Sequence, residues 1–323
     1  MTNPKRWNIS PGFKAALRWL ACVAVVVGVT YALRKNIRAL AQEWPKVHVS
    51  FPMVLASGAS LAATSVVQLV IFRQLLQAYH GRLSWRAMVV VSWIPTLAKY
   101  IPVKVGALAG TVYLLGRQGV PAIIAVSVAL IQDMLAIIAG LMVASPIVHG
   151  ALLHSPMPVW LWRILVMALG LIFLHPAVFP RMANLILRLL RRPMLPTNIP
   201  VRNYAAPVLI TFGQWFFTGL ALWCLTRSVV GPALPLVQAP FFMEVAALAF
   251  AVGYLAFFTL GGLGVREPIL ILALTSVVGL TNATIVAIAM RMLQTVVELI
   301  LLLIALLVWR TMKTLAETQQ PVV

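Results

Sequence analysis

Apolar residues run along this chain in long blocks, broken by short polar stretches. The blocks are too long for strands and too uniformly apolar for the surface helices of a soluble domain. Their lengths predict spanning helices over about 15–33, 53–78, 120–147, 159–175, 205–229 and 283–309. Each holds roughly the 20 residues needed to cross a hydrocarbon core. Two regions break the rule. The run 87–98 is too short to span; it meets Pro95, Lys99, Pro102 and Lys104, then resumes over 105–116. A second interrupted region has a first limb over about 241–258, a break from Thr259 to Gly264 and a returning limb over 265–279. Backbone can leave the helix inside a membrane only where protein or a water-filled cavity satisfies its polar groups. Both regions are therefore expected to be re-entrant hairpins.

The order of elements occurs twice. Pseudo-repeat 1 covers about 13–147 and pseudo-repeat 2 about 158–312, within a single transmembrane domain, 1–323. Gly106 and Gly264 lie 158 positions apart, and each is followed 27 positions later by a charge in the next spanning helix, Asp133 and Arg291. Pseudo-symmetry is expected to bring these two charges toward each other.

Composition agrees with the pattern. The chain is 62% hydrophobic and only 10% charged, against roughly 25% charged for a soluble domain. This fixes the class as an all-α polytopic membrane protein. Length suits one bundle with no appended soluble domain. The basic lead into 15–33 ends without a small-x-small site, which points to a retained helix rather than a signal peptide.

The charge balance is 25 Lys+Arg against 6 Asp+Glu. With no exposed domain to offer, nucleic acid is excluded as a partner. Most of the excess serves the positive-inside rule and anionic headgroups. Loops 148–158 and 230–240 contain no Lys or Arg, whereas 177–203 contains Arg181, Arg188, Arg191, Arg192 and Arg202. That distribution places 177–203 and both termini in the cytoplasm. The halves are then inverted, with hairpins entering from opposite faces. Segment 34–47 disagrees, since it falls outside with four basic residues. It and 177–192 are read as interfacial segments.

Charges inside the bilayer each need a reason. Arg291, Gln294 and Glu298 share one helix face. Pairing of Arg291 with Asp133 or Glu298 is the structural reading; a polar wall along a translocation path is the functional one. Ser57, Ser60, Thr64 and Gln68 form a stripe expected to pack helices. Gln132 precedes Asp133, and Glu244 lies near the start of the second interrupted limb. Arg73 and Arg163 sit near helix ends and are expected to snorkel.

The breaks carry the chemistry. Lys99 and Lys104 flank the first tip, with Gly106 just beyond. Gly261, Gly262 and Gly264 precede Arg266 and Glu267 at the second. Convergent backbone N–H groups, a helix N-terminus and a Lys or Arg together make an anion site suited to phosphate. No catalytic constellation, P-loop or metal-ligand spacing accompanies it. Cys22 and Cys224 form no CxxC. The chain is expected not to be an enzyme and to need no cofactor or metal. Glu298, Glu267 or Asp133 could carry protons.

At these stretches the chain resembles the lysylphosphatidylglycerol-synthase transmembrane, or flippase-like, family. The resemblance rests on Lys99-Tyr100-Ile101-Pro102-Val103-Lys104-Val105-Gly106, on Gly116-Arg117-Gln118-Gly119-Val120, and on Gly261-Gly262-Leu263-Gly264-Val265-Arg266-Glu267. It spans about 50–310. Val103 and Leu260 depart from the family's usual Pro-Gly at the two breaks. The resemblance implies an inner-membrane protein that moves lipid between leaflets, without the soluble synthase domain of fused members.

The expected function is translocation of an anionic phospholipid or a polyprenyl-phosphate-linked lipid, so membrane lipids are the expected partners. A lipid-synthesis enzyme or a second copy could accompany it. The alternatives are a membrane transferase acting on a polyprenyl phosphate, with Glu267 or Asp133 as base, and a non-transporting scaffold.

Overall fold

The computed structural model describes residues 49–79, 83–96, 105–150, 157–175, 178, 181, 184, 188, 201–255 and 264–318. The predicted helix 15–33, the segment 34–47, most of 177–192 and the two break tips lie outside these residues. Among the described residues the chain is all helical. The helices are α1 (Phe51–Tyr79), α2 (Trp85–Trp93), α3 (Val105–Gly116), α4 (Ala122–Val148), α5 (Val159–Leu174), α6 (Val201–Val230), α7 (Ala239–Leu255), α8 (Arg266–Val278) and α9 (Leu280–Thr318), with a 3-10 turn at Leu236–Gln238 before α7.

Local chemistry sets the boundaries. Ser84 caps α2 by accepting a hydrogen bond from Ala87 N at 3.2 Å, which satisfies one orphan donor of the first turn. Pro95 stops α2 short of the predicted residue 98, because proline has no N–H to donate and clashes with the preceding turn. Gly231 (φ +84°) and Gly279 (φ +77°) take positive φ just past α6 and α8, where a side chain would be strained. Helix α9 continues past the predicted 309, since 310–318 contains neither Gly nor Pro.

Among the described residues five segments are long and apolar enough to cross a membrane: α1, α4, Ala205–Val230 of α6, Leu236–Tyr254 and Leu280–Met312. The chain is a multi-pass membrane protein. Helix α7 with its lead-in meets the length criterion, whereas α2 has 9 residues and α3 has 12. Apolar side chains on the outer faces, such as Leu272 and Leu307, need no protein partner in lipid.

Helices α1 and α6 run antiparallel. Ser50 N donates to Ser228 O (3.0 Å), Ser57 Oγ to Ala221 O (2.7 Å), and the Thr64 and Thr218 hydroxyls are 3.3 Å apart. As numbers rise on α1 they fall on α6. Small hydroxylated residues let the two backbones approach, so Ser57 and Thr64 do pack helices as expected. Most of the remaining contacts come in matched pairs, the packing of α5 on α4 being one that does not. Helix α4 packs on α7 and α9 on α2; α3 packs on α4 and α8 on α9; α4 and α9 each touch both α1 and α6. Exchanging α1–α4 for α6–α9 turns every one of these contacts into another that is present.

Two apolar cores mark the ends. Val54, Ile147, Val229, Leu234, Phe241 and Val278 join one. Tyr79, Leu83, Val120, Val208, Trp309 and Met312 join the other. The start of α7 and the finish of α8 therefore share the first core, while the approach to α2 and the exit from α3 share the second.

Both outlying arginines have a partner within the fold. Arg163 on α5 donates from Nη2 to Glu244 Oε1 on α7 at 2.7 Å. The Arg73 guanidinium lies 3.8 Å from the Trp85 ring centroid, within cation–π range.

Candidate functional site

Residues from α1, α2, α3, α4, α6, α7, α8 and α9 line a cavity of about 410 Å³. That lies within the ~300–1,000 Å³ typical of small-molecule sites. Much of the wall is apolar, with Leu61, Leu69, Phe72 and Leu270 among its members. Polar groups interrupt it in layers. Asp133, Gln132, Gln294 and Glu298 come from α4 and α9; Thr64, Ser65 and Gln68 from α1; Tyr254 and Arg266 from α7 and α8.

Among the described residues Arg266 is the Lys or Arg side chain of this wall. Its guanidinium lies 4.6 Å from the Phe250 ring centroid, and Phe250 in turn stacks on Tyr254 at 5.7 Å. The stem of Arg266 crosses α7 at Gly253, where any Cβ would overlap it. A flat ring below and a glycine beside it fix the guanidinium, and that fixed position is what bidentate anion binding needs.

Glu267, next in sequence, does a different job. Its Oε2 accepts from Gly264 N at 2.8 Å, and its Oε1 lies 4.0 Å from Arg291 Nε. Gly264 has φ +80°, the left-handed conformation that glycine adopts without strain. The carboxylate thus holds the end of the glycine break and ties it to α9. Arg291 is 5% exposed, so a carboxylate beside it offsets the cost of burying a cation.

Asp133 accepts a hydrogen bond from the Tyr254 phenol. Gln294 Nε2 donates to Glu298 Oε1 at 3.1 Å, as their i,i+4 spacing on α9 permits. Gln132 Nε2 donates to the Gln68 carbonyl at 2.9 Å, linking α4 to α1.

The structure therefore gathers Asp133, Arg266, Gln294 and Glu298 around one cavity. It places Arg291 and Glu267 together behind the start of α8. Gly106 sits in the first turn of α3, next to the lining residues Ala107 and Leu108. Lys99, Lys104, Gly261 and Gly262 lie outside the described residues. Phe250, Tyr254, Gln214 and Thr218 belong to the site without having been singled out. For Phe250 and Tyr254 a signal existed, namely aromatic residues at i and i+4 on the limb entering the glycine break. Among the described residues no three His, Cys, Asp or Glu side chains gather as a metal site.

The family model described as lysylphosphatidylglycerol synthase TM region matches residues 18–310, nearly the whole chain. Among curated proteins none matches the chain significantly.

Proposed function

The chain belongs to the lysylphosphatidylglycerol synthase transmembrane family, a family of lipid-related membrane proteins, and from that premise we propose that it is a lipid translocase rather than an enzyme. The headgroup of an anionic phospholipid or a polyprenyl-phosphate-linked lipid enters the cavity. Its chains stay in the bilayer. The observation that carries this reading is the position of Arg266, a cation held at the wall of a polar cavity inside an apolar bundle. A charge there costs several kcal/mol to insert on any scale, about 2.5–3.5 on the most lenient. An anionic head passing through the site would be a further partner for that cation, beside those the fold gives it.

The matched contacts and the antiparallel α1–α6 pair support an inverted repeat. A two-fold axis in the membrane plane makes equivalent helices antiparallel, whereas an axis along the normal would leave them parallel. On this reading α2–α3 and α7–α8 are hairpins entering from opposite faces, and rocking of one repeat against the other alternates access. Both termini lie in the cytoplasm and the protein resides in the inner membrane. In the sequence Lys99 and Lys104 precede α3 just as Gly261 and Gly262 precede α8.

The test is reconstitution of the purified chain in vesicles with an acyl-labelled fluorescent phosphatidylglycerol. Wild type accelerates exchange between leaflets, Arg266→Lys retains part of the rate, and Arg266→Ala loses it while still inserting. An Arg266→Ala rate equal to wild type would overturn the reading in favour of a scaffold.

A further inference from the structure

The packing of α5 on α4 has no mate among the described residues, and its details say where the mate belongs. Three positions on α4 carry the contact. A Cβ on Gly170 would overlap the Met142 side chain. Trp162 Nε1 donates to Ser145 O at 2.9 Å, and the Trp162 and His149 ring centroids lie 6.0 Å apart. Met142, Ser145 and His149 are each 7% exposed or less. Numbers rise along α5 as they fall along α4, so the pair is antiparallel.

Helices α4 and α9 are in register at an offset of 158. Ala122 opens α4 and Leu280 opens α9, and the same offset separates Gly106 from Gly264 and Asp133 from Arg291. Applied to Met142, Ser145 and His149, it gives Ile300, Leu303 and Leu307. These three share one face of α9 and are 51%, 60% and 61% exposed. The face that α5 covers on α4 is thus open on its counterpart. Lipid tolerates an open apolar face, so exposure alone assigns no partner. Repeat symmetry assigns one.

The counterpart of α5 is the apolar run 15–33, which opens pseudo-repeat 1 as α5 opens pseudo-repeat 2. The runs 15–33 and 159–175 each hold a single glycine, Gly28 and Gly170, five residues before the end. Matching the glycines sets Leu20 opposite Trp162 in the alignment. A glycine at such a position lets helices approach closely in lipid.

We infer that the Ile300, Leu303 and Leu307 face of α9 is the docking surface for segment 15–33 of the same chain, with Gly28 against Ile300 and Leu20 toward Leu303 and Leu307. The direction agrees with the proposed topology. The chain enters 15–33 from the cytoplasm, and Leu307 adjoins Val308 and Trp309 of the core at that end. The face lies on the back of α9 from Gln294 and Glu298, which line the cavity, so the docked segment braces that wall from the lipid side. The inference rests on the inverted repeat within the translocase reading, not on the lipid carried.

The experiment is disulfide trapping of the full chain in membranes, with Cys22 and Cys224 replaced by Ala. The test pairs are Gly28→Cys with Ile300→Cys and Leu20→Cys with Leu303→Cys. Met142→Cys with Gly170→Cys is the positive control. Val26→Cys with Ile300→Cys is the negative control, because residues two apart on a helix do not share a face. Copper phenanthroline oxidises the thiols, and a PEG maleimide counts those that remain. Cysteines close a disulfide when their Cβ atoms lie about 3.5–4.5 Å apart. Both test pairs should lose both thiols as a monomer, as completely as the positive control, while the negative control keeps them. A second test pair keeps the result decisive if one variant fails to insert. A disulfide dimer would give the face to a second copy. Thiols retained in both test pairs, with the positive control closed, would give it to lipid. Either outcome, or equal loss in the negative control, overturns the inference and leaves the repeat standing if Gln118→Cys and Val237→Cys react from opposite faces. Reaction of those two from one face would end the repeat and the inference together.

Discussion

Tyr254 on α7 donates its phenolic proton to Asp133 on α4, joining residues 121 positions apart at the wall of the cavity. The two helices pack on each other, and this bond is a polar link between them in an apolar interior. A carboxylate placed there without a donor would be costly.

Tyr254→Phe should therefore destabilise the protein by about 1–3 kcal/mol, the cost of leaving a buried acceptor short of its partner. Asp133→Asn keeps an oxygen for the phenol and should cost less. The two changes share one bond, so their effects should not add. Thermal unfolding in detergent of both single variants and the double variant measures this. Additive effects would show that the bond contributes nothing to stability.

The arrangement of ends predicts a labelling pattern. Gln118, in the turn after α3, belongs to the end proposed to be cytoplasmic, and Val237, 81% exposed before α7, belongs to the opposite end. In a background lacking Cys22 and Cys224, Gln118→Cys should react only with reagent on the cytoplasmic face and Val237→Cys only from outside. Reaction of both from one face would end the proposed hairpin topology.

The helical architecture was legible in the sequence because length and apolarity set it residue by residue. The returning limb 105–116 coincides with α3, and 265–279 nearly coincides with α8. Arg266, Asp133, Gln294 and Glu298 were legible for the same reason, since a charge or amide in an apolar helix stands out. What was hidden is pairing. Nothing local says that Arg163 pairs with Glu244 on α7. Likewise, Asp133 meets a tyrosine on a helix far away in sequence. Those choices depend on how helices cross, and a uniformly apolar helix carries little periodicity to reveal its inward face. Thr218 was hidden for another reason: a threonine bonded to its own helix looks inert until the cavity beside it is known.

Gly219 measures how closely α6 and α7 are required to approach. A Cβ there would overlap the Met243 side chain and come within 2.5 Å of its Cα. Backbone cannot swing aside as a side-chain tip can, so the helices would have to separate. Gly219→Ala should cost about 1–3 kcal/mol, the usual penalty of overpacking. Gly213→Ala is the control, because its Cβ would meet nothing within 4 Å. It should be neutral or slightly stabilising, as alanine is the better helix former. Midpoints of thermal unfolding for the two variants give the comparison; equal values would mean that the α6–α7 contact is loose enough to yield.

Glu267 separates a brace from a proton carrier. Its carboxylate accepts from Gly264 N and faces Arg291. If it braces the glycine break, what matters is an oxygen within reach of Gly264. Glu267→Gln keeps that oxygen and loses the charge, so transport should fall only a fewfold, about the effect of one weakened charge-assisted bond. Glu267→Ala loses both contacts and leaves Arg291 without this carboxylate, so it should fall much further and lose thermal stability as well. Replacing Arg291 with Gln in the Glu267→Ala background should recover some of that stability, because the buried cation is then gone. The same series discriminates the proton-carrying role. A carrier requires an ionisable group, and Glu267→Gln would then abolish transport and erase its pH dependence together. The decisive measurement is the transport rate of wild type and Glu267→Gln across pH 5–9. Parallel profiles establish the brace, and a flat, near-zero profile for the glutamine variant would overturn it.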